Sequence, residues 1–87
     1  MRKILFTPIA LKGYMSFQND KKALSKINAL LLDIARNPAQ GLAKPERLKG
    51  DLSGYYSRRI DAKNRIVYRF DDSMCEIIQV GGHYDDK

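Results

Sequence analysis

The chain has 87 residues, 44% hydrophobic and 30% charged, which fits one small soluble domain over residues 1–87 and excludes a disordered chain. Its net charge of +6 is unevenly spread: residues 1–43 carry +5, residues 44–69 another +5, and residues 70–87 carry −4. Such a basic surface suits a polyanionic partner, while the single cysteine, Cys75, excludes an internal disulfide and a Cys/His zinc set.

Residues 1–6 hold too short an apolar run for a signal peptide. No stretch approaches the roughly 18 apolar residues of a membrane span, so a cytoplasmic product with no membrane partner is expected. Residues 3–6 read as a short strand. Thr7-Pro8 then opens a first helix, with Thr as N-cap and Pro at the first helical position. Its apolar face is expected to be Ala10, Leu11, Tyr14 and Phe17, and Gly13 weakens it by about 1 kcal/mol relative to Ala. Asn19-Asp20 ends this helix and caps the next. In the second helix Leu24, Ile27, Leu31 and Ile34 repeat at helical spacing, Leu30 widens the stripe, and Lys21, Lys22, Lys26 and Asp33 take the outer face. Asn37-Pro38 stops it, because a residue before proline avoids the helical region.

Residues 38–54 form a connector rich in Pro and Gly. Three strands come after it at 55–60, 65–70 and 75–80, joined by the turn-forming runs Asp61-Ala62-Lys63-Asn64 and Asp71-Asp72-Ser73, which signal antiparallel hairpins. The order β-α-α-β-β-β predicts an α+β fold, with two N-terminal helices on one face of a small twisted antiparallel sheet. The N-terminal strand joins that sheet, and the other face stays partly open. Alternation puts Ile66, Tyr68 and Phe70 on one face and Arg65, Val67 and Arg69 on the other. In the preceding strand Ser57 and Arg59 share a face, opposite Arg58. Cys75 in an apolar strand is expected to be buried and inert.

Aligned arginines on a sheet suit phosphate, and RNA carries its own nucleophile in the 2′-hydroxyl. Cleavage then needs a base, an acid, cations at the phosphoryl oxygens and an in-line geometry. Glu46 is the candidate base, since Lys44, Arg47 and Lys49 around it favour the ionised carboxylate. Asp51 and Asp61 compete with it, but turn capping is their simpler role. Arg65 offers a fork of donors to phosphate oxygens, and Lys49, Arg58 and Arg59 are further phosphate-holding candidates. Tyr55, Tyr56 and Tyr84 could stack on bases. His83, the one histidine, is the candidate acid. No acidic cluster is placed to hold Mg²⁺ beside the basic stretch, so neither metal nor cofactor is called for.

Taken in order, Lys44-Pro45-Glu46-Arg47-Leu48-Lys49, Gly54-Tyr55-Tyr56-Ser57-Arg58-Arg59-Ile60, Asn64-Arg65-Ile66-Val67-Tyr68 and His83-Tyr84 resemble the YoeB family, toxins of bacterial toxin–antitoxin pairs in the RelE/ParE superfamily. The resemblance covers nearly the whole chain. It implies a ribosome-dependent endoribonuclease cutting mRNA in the ribosomal A site, with no metal. It also implies Glu46 as general base, Arg65 as stabiliser of the transition-state phosphate, His83 as general acid and Tyr84 as an orienting aromatic. Lys49 and Arg59 match phosphate-binding positions. The implied partners are the ribosome and mRNA, an acidic antitoxin of YefM/Phd type, and operator DNA through the toxin–antitoxin complex, with a homodimer left open. Asp85-Asp86-Lys87 departs from the family by extending past the His-Tyr pair. Two other readings compete: a non-enzymatic toxin of the same fold acting on gyrase, and a plain nucleic-acid-binding module.

Overall fold

A computed structural model describes residues 1–82. His83, Tyr84 and the Asp85-Asp86-Lys87 tail lie outside the described residues. The elements run β1 (Lys3–Phe6), α1 (Pro8–Met15), α2 (Lys21–Arg36), β2 (Glu46–Arg47), a 3₁₀ turn (Gly50–Leu52), β3 (Tyr56–Arg59), β4 (Arg65–Phe70) and β5 (Met74–Val80).

Both helices begin where their capping residues dictate. The Thr7 hydroxyl accepts from Ala10 N–H at 3.1 Å with Pro8 in the first turn, and the Asp20 carboxylate accepts from Ala23 N–H at 3.1 Å. Each pairing satisfies an amide that has no partner inside its helix. The stripe of α2 buries Ile27, Leu30, Leu31 and Ile34 together with Ala35. These side chains meet Ile66, Tyr68, Cys75, Ile77 and Val80 from the sheet, and each fully buried Ile or Leu contributes about 1.5–3 kcal/mol. In α1, Ala10 is buried and Tyr14 packs against this core, as does Phe17 in the turn just after the helix, but Leu11 is 46% exposed. The expected apolar face was one residue too wide, because α1 lies against β5 through its narrow Ala10–Gly13 side. Gly13 has a packing reason: a Cβ there would sit 2.2 Å from the Val80 carbonyl oxygen.

The sheet has the order β1-β5-β4-β3-β2. The β2–β3, β3–β4 and β4–β5 pairs are antiparallel, but β1 runs parallel to β5, with Ile4 opposite Cys75 and Phe6 opposite Ile77. The sheet is therefore mixed rather than wholly antiparallel. The two helices carry the chain from β1 on one edge of the sheet to β2 on the other, and the three antiparallel reversals from β2 to β5 bring β5 back beside β1 in the same direction. The hairpin strands stand within one residue of the expected bounds. Strand β2 is an addition: a two-residue edge inside the expected connector, with Glu46 opposite Ser57 and Arg47 opposite Tyr56. Among the described residues no helix is long and apolar enough to cross a membrane.

Candidate active site

Alternation along the strands assembles the site. Glu46 on β2 faces Ser57 on β3; Arg59 stands two residues on, and Arg65 on β4 is its register partner. Residues two apart share a sheet face, so Glu46, Ser57, Arg59 and Arg65 all project from the face away from the helices. Strand spacing sets the Glu46 and Arg65 backbones on the order of 12 Å apart, a gap that long side chains and a nucleotide can span. Glu46 and Arg59 are exposed and Arg65 is half-buried.

These side chains line a cleft of about 500 Å³, with Lys26 from α2 and Ala43, Lys44 and Pro45 from the connector completing its wall. Among the described residues of the lining, four cations thus surround one carboxylate. Arg59 and Arg65 are directly opposite each other on the sheet, a like-charge pairing that suits an anionic ligand. Beside Glu46, the Ser57 hydroxyl is buried and finds no hydrogen-bond partner among the described residues. Among the described residues there is also no group of three or more His, Cys, Asp or Glu side chains that could hold a metal ion.

Backbone bonds anchor the approach to the histidine. Arg65 N–H donates to Gly82 O at 3.0 Å, and Gly81 N–H donates to Arg65 O at 2.8 Å. Gly82 N–H donates to Asn64 Oδ1 at 2.8 Å. The Asn64 amide in turn donates to both Asp61 carboxylate oxygens at 3.1 Å. Gly81 and Gly82 adopt φ of +92° and +76°, the left-handed region that glycine enters without strain. The residue covalently joined to His83 is thus fixed against the strand end that carries Arg65.

The remaining candidates fall into place unevenly. Asp61 caps its turn as expected, accepting from Lys63 and Asn64 N–H at 2.8 Å each. The Asn64 amide and these backbone bonds hold its carboxyl below the usual carboxylate range. Lys49 is exposed beyond β2 and outside the cleft lining. Tyr55 is half-buried at the far end of the same face, with the Arg69 guanidinium 5.6 Å from its ring centre. Tyr68 is core, as alternation implies, and burial raises its hydroxyl pKa. Burial likewise raises the Cys75 thiol above its ordinary value, in keeping with an inert side chain.

Arg58 requires a correction. Read from the sequence as a phosphate-holding side chain, it is fully buried on the helix side of β3. Its guanidinium donates to Asp33, to three backbone carbonyls and to Tyr68, so it presents nothing to a ligand. Alternation put it on the face opposite Ser57 and Arg59 without saying which face meets the core; that face is the helix side, where an arginine must find partners or not be buried. Lys26 is the opposite case. Assigned to the solvated outer face of α2, it borders the cleft, and its charge also helps lower the Asp61 pKa. Nothing local to the sequence marks it, because its neighbours come from the connector and the β3–β4 hairpin.

The chain is similar to known proteins over nearly its whole length. The family described as YoeB-like toxin of bacterial type II toxin–antitoxin system matches residues 6–84. Toxin YoeB of Streptomyces coelicolor is 47% identical over 94% of this chain and 99% of its own. Toxin YoeB of a Synechocystis species is 49% identical over 94% and 96%. Among solved structures, a YoeB/ParE toxin from Agrobacterium tumefaciens superposes with a TM-score of 0.89 at 44% identity, covering 94% of this chain and 99% of that one. A YoeB dimer from Staphylococcus aureus gives 0.86 at 49%, covering 95% and 98%. A heterotetrameric YoeB–YefM toxin–antitoxin complex from the same organism gives 0.85 at 48%, covering 97% and 99%.

Proposed function

The chain belongs to the YoeB-like toxins of bacterial type II toxin–antitoxin systems, and from that membership we propose that it is a ribosome-dependent endoribonuclease acting on mRNA in the A site. One observation supports this reading above the others: among the described residues that line the cleft, Glu46 is the one carboxylate, set among Lys26, Lys44, Arg59 and Arg65. A gyrase-binding or plain nucleic-acid-binding surface needs the cations but gives the carboxylate no task.

In the proposed reaction Glu46 takes the proton of the ribose 2′-hydroxyl, and the 2′-oxygen attacks the adjacent phosphorus. The bond to the 5′-oxygen breaks as the bond to the 2′-oxygen forms. Arg65, with Arg59, stabilises the charge on the non-bridging oxygens. The His83 imidazolium protonates the departing 5′-oxygen, and Tyr84 orients the substrate. The products are a 2′,3′-cyclic phosphate and a 5′-hydroxyl. No metal or other cofactor enters this scheme. Lys26, Lys44 and Lys49 steer and hold the backbone, with Tyr55 as an outlying base contact.

Residues 1–87 would act as one cytoplasmic toxin domain. A YoeB–YefM complex and a YoeB dimer among the similar structures support an acidic antitoxin partner of YefM type and self-association. An antitoxin segment covering the basic face would compete with RNA. The test is cleavage of a defined mRNA on purified ribosomes, with the product ends identified. Cyclic phosphate and 5′-hydroxyl ends are expected, and a 3′-hydroxyl end would overturn the mechanism. Intact mRNA together with blocked gyrase supercoiling would favour the non-enzymatic reading.

A further inference from the structure

The buried guanidinium of Arg58 has its five N–H donors matched to five acceptors. Nη1 donates to Asp33 Oδ2 at 2.6 Å and to Leu42 O at 3.0 Å. Nη2 donates to Asn37 O at 2.6 Å and Gln40 O at 2.8 Å. Nε donates to the Tyr68 hydroxyl at 3.1 Å, which itself donates a hydrogen bond to Pro38 O. Asp33 Oδ2 closes the network by accepting from Leu42 N–H at 3.0 Å. Four of the six residues from 37 to 42, the end of α2 and the start of the connector, therefore have their carbonyls held by Arg58 or by Tyr68. This stretch carries no helix or strand of its own, so side chains supply the hydrogen bonds that secondary structure would otherwise provide.

Directly after the held stretch, the chain enters the cleft wall. Ala43 and Lys44 adopt φ of 61° and 50°, a left-handed conformation that side-chain-bearing residues keep only where their surroundings impose it. They are pinned from both sides. Upstream, Leu42 is bonded through its N–H to Asp33 and through its carbonyl to Arg58. Downstream, Pro45 has a fixed φ and Glu46 is paired to β3. Gly41, at φ 115°, lies so close to the clamp that a Cβ would meet Asp33 Oδ2 at 2.2 Å. Ala43, Lys44, Pro45 and Glu46 all line the cleft.

We propose that Arg58 is a positioning residue of the cleft: by gripping the connector it imposes the left-handed Ala43-Lys44 pair and so fixes where Glu46 stands relative to Arg59 and Arg65. This deepens the proposed function and rests on it for the word catalysis. Adjacent arginines on β3 then divide the labour. Arg59 serves the cleft directly, and Arg58, on the other face, holds the wall opposite it. Lysine cannot substitute, since one ammonium with three donors cannot reach five acceptors set around a planar fork.

The test compares wild type with Arg58→Lys, and with Asp33→Asn as a near-isosteric change that keeps the guanidinium. Circular dichroism and unfolding curves first establish which variants fold. Single-turnover cleavage on ribosomes and amide hydrogen exchange are then measured on each folded protein. A wall displaced by about 1 Å lowers the cleavage rate about 10²-fold. We expect that loss for Arg58→Lys and about tenfold for Asp33→Asn, with the half-saturating ribosome concentration changed less than about threefold. Exchange at residues 42–46 should speed at least about tenfold, with β4 and β5 amides still protected. A merely structural role predicts uniform loss of protection and no selective fall in rate. Wild-type rate and exchange in either folded variant would overturn the proposal. If Arg58→Lys does not fold, Asp33→Asn alone decides. If wild type itself leaves mRNA intact, the proposed function fails, while the exchange pattern still decides whether Arg58 holds the wall.

Discussion

Replacing Gly13 with alanine should reverse the sign that helix propensity predicts. On propensity alone, alanine in the middle of α1 stabilises by about 1 kcal/mol. In the structure the new Cβ would lie 2.2 Å from the Val80 carbonyl oxygen and 3.2 Å from its carbonyl carbon. Carbon and carbonyl oxygen ordinarily meet at about 3.3 Å or more, so the helix must lift by about 1 Å. The obstacle is sheet backbone, which cannot rotate aside as a side chain can. Overpacking of this kind costs about 1–3 kcal/mol, and a backbone clash belongs at the upper end. With about 1 kcal/mol of propensity returned, the net destabilisation is about 2 kcal/mol. For a domain of this size that corresponds to a fall in Tm of roughly 8–16 °C. Urea unfolding followed by circular dichroism measures it, with an unchanged m-value excluding a denatured-state effect. The consequence reaches the site, because Val80 leads directly to Gly81, whose N–H donates to Arg65 O. A Gly13→Ala protein as stable as wild type, or more so, would refute the close-approach argument.

Other substitutions probe the chemistry and the charges. Arg65→Ala and His83→Gln should each lower ribosome-dependent cleavage by at least about 10²-fold with matched circular dichroism; a folded His83→Gln protein with wild-type rates would remove His83 from the mechanism. Lys26→Ala should weaken RNA binding and reduce the slope of log affinity against log salt by about 1, and an unchanged slope would take Lys26 out of the phosphate track. Arg58, chiefly through its hydrogen bond, holds the Asp33 carboxyl below the usual carboxylate range. The stabilisation tied to that lowered pKa is full above the unfolded value of about 3.9 and fades as pH falls through the lower folded value. The stability difference between wild type and Asp33→Asn should therefore shrink as pH drops below about 4, as urea titrations across that range can show; a pH-independent difference would contradict the linkage.

Much of this architecture is written in local pattern. Thr7-Pro8 and Asp20 open the helices as their capping chemistry requires, the α2 stripe points at the core, and period-two alternation sorts Arg59 and Arg65 from Ile66 and Tyr68. These features depend on spacing of a few residues, which a single sequence displays in full. The sequence also marked Glu46 and the strand-end arginines as one chemical set, and the sheet register puts them on one face. Tertiary structure decided what depends on partners distant in sequence. Arg58 and Arg59 are neighbours of the same type, yet one is buried among acceptors from residues 33 to 42 and the other borders the cleft. Lys26 joins the cleft because the fold brings α2 beside the connector and the β3–β4 hairpin, and β1 runs parallel to β5 because the chain crosses to β2 on the far edge and returns through three antiparallel reversals. Gly13 changes from a weak point in a helix to a required gap for the same reason: β5 passes 67 residues later in the chain, where no window on the sequence around Gly13 could register it.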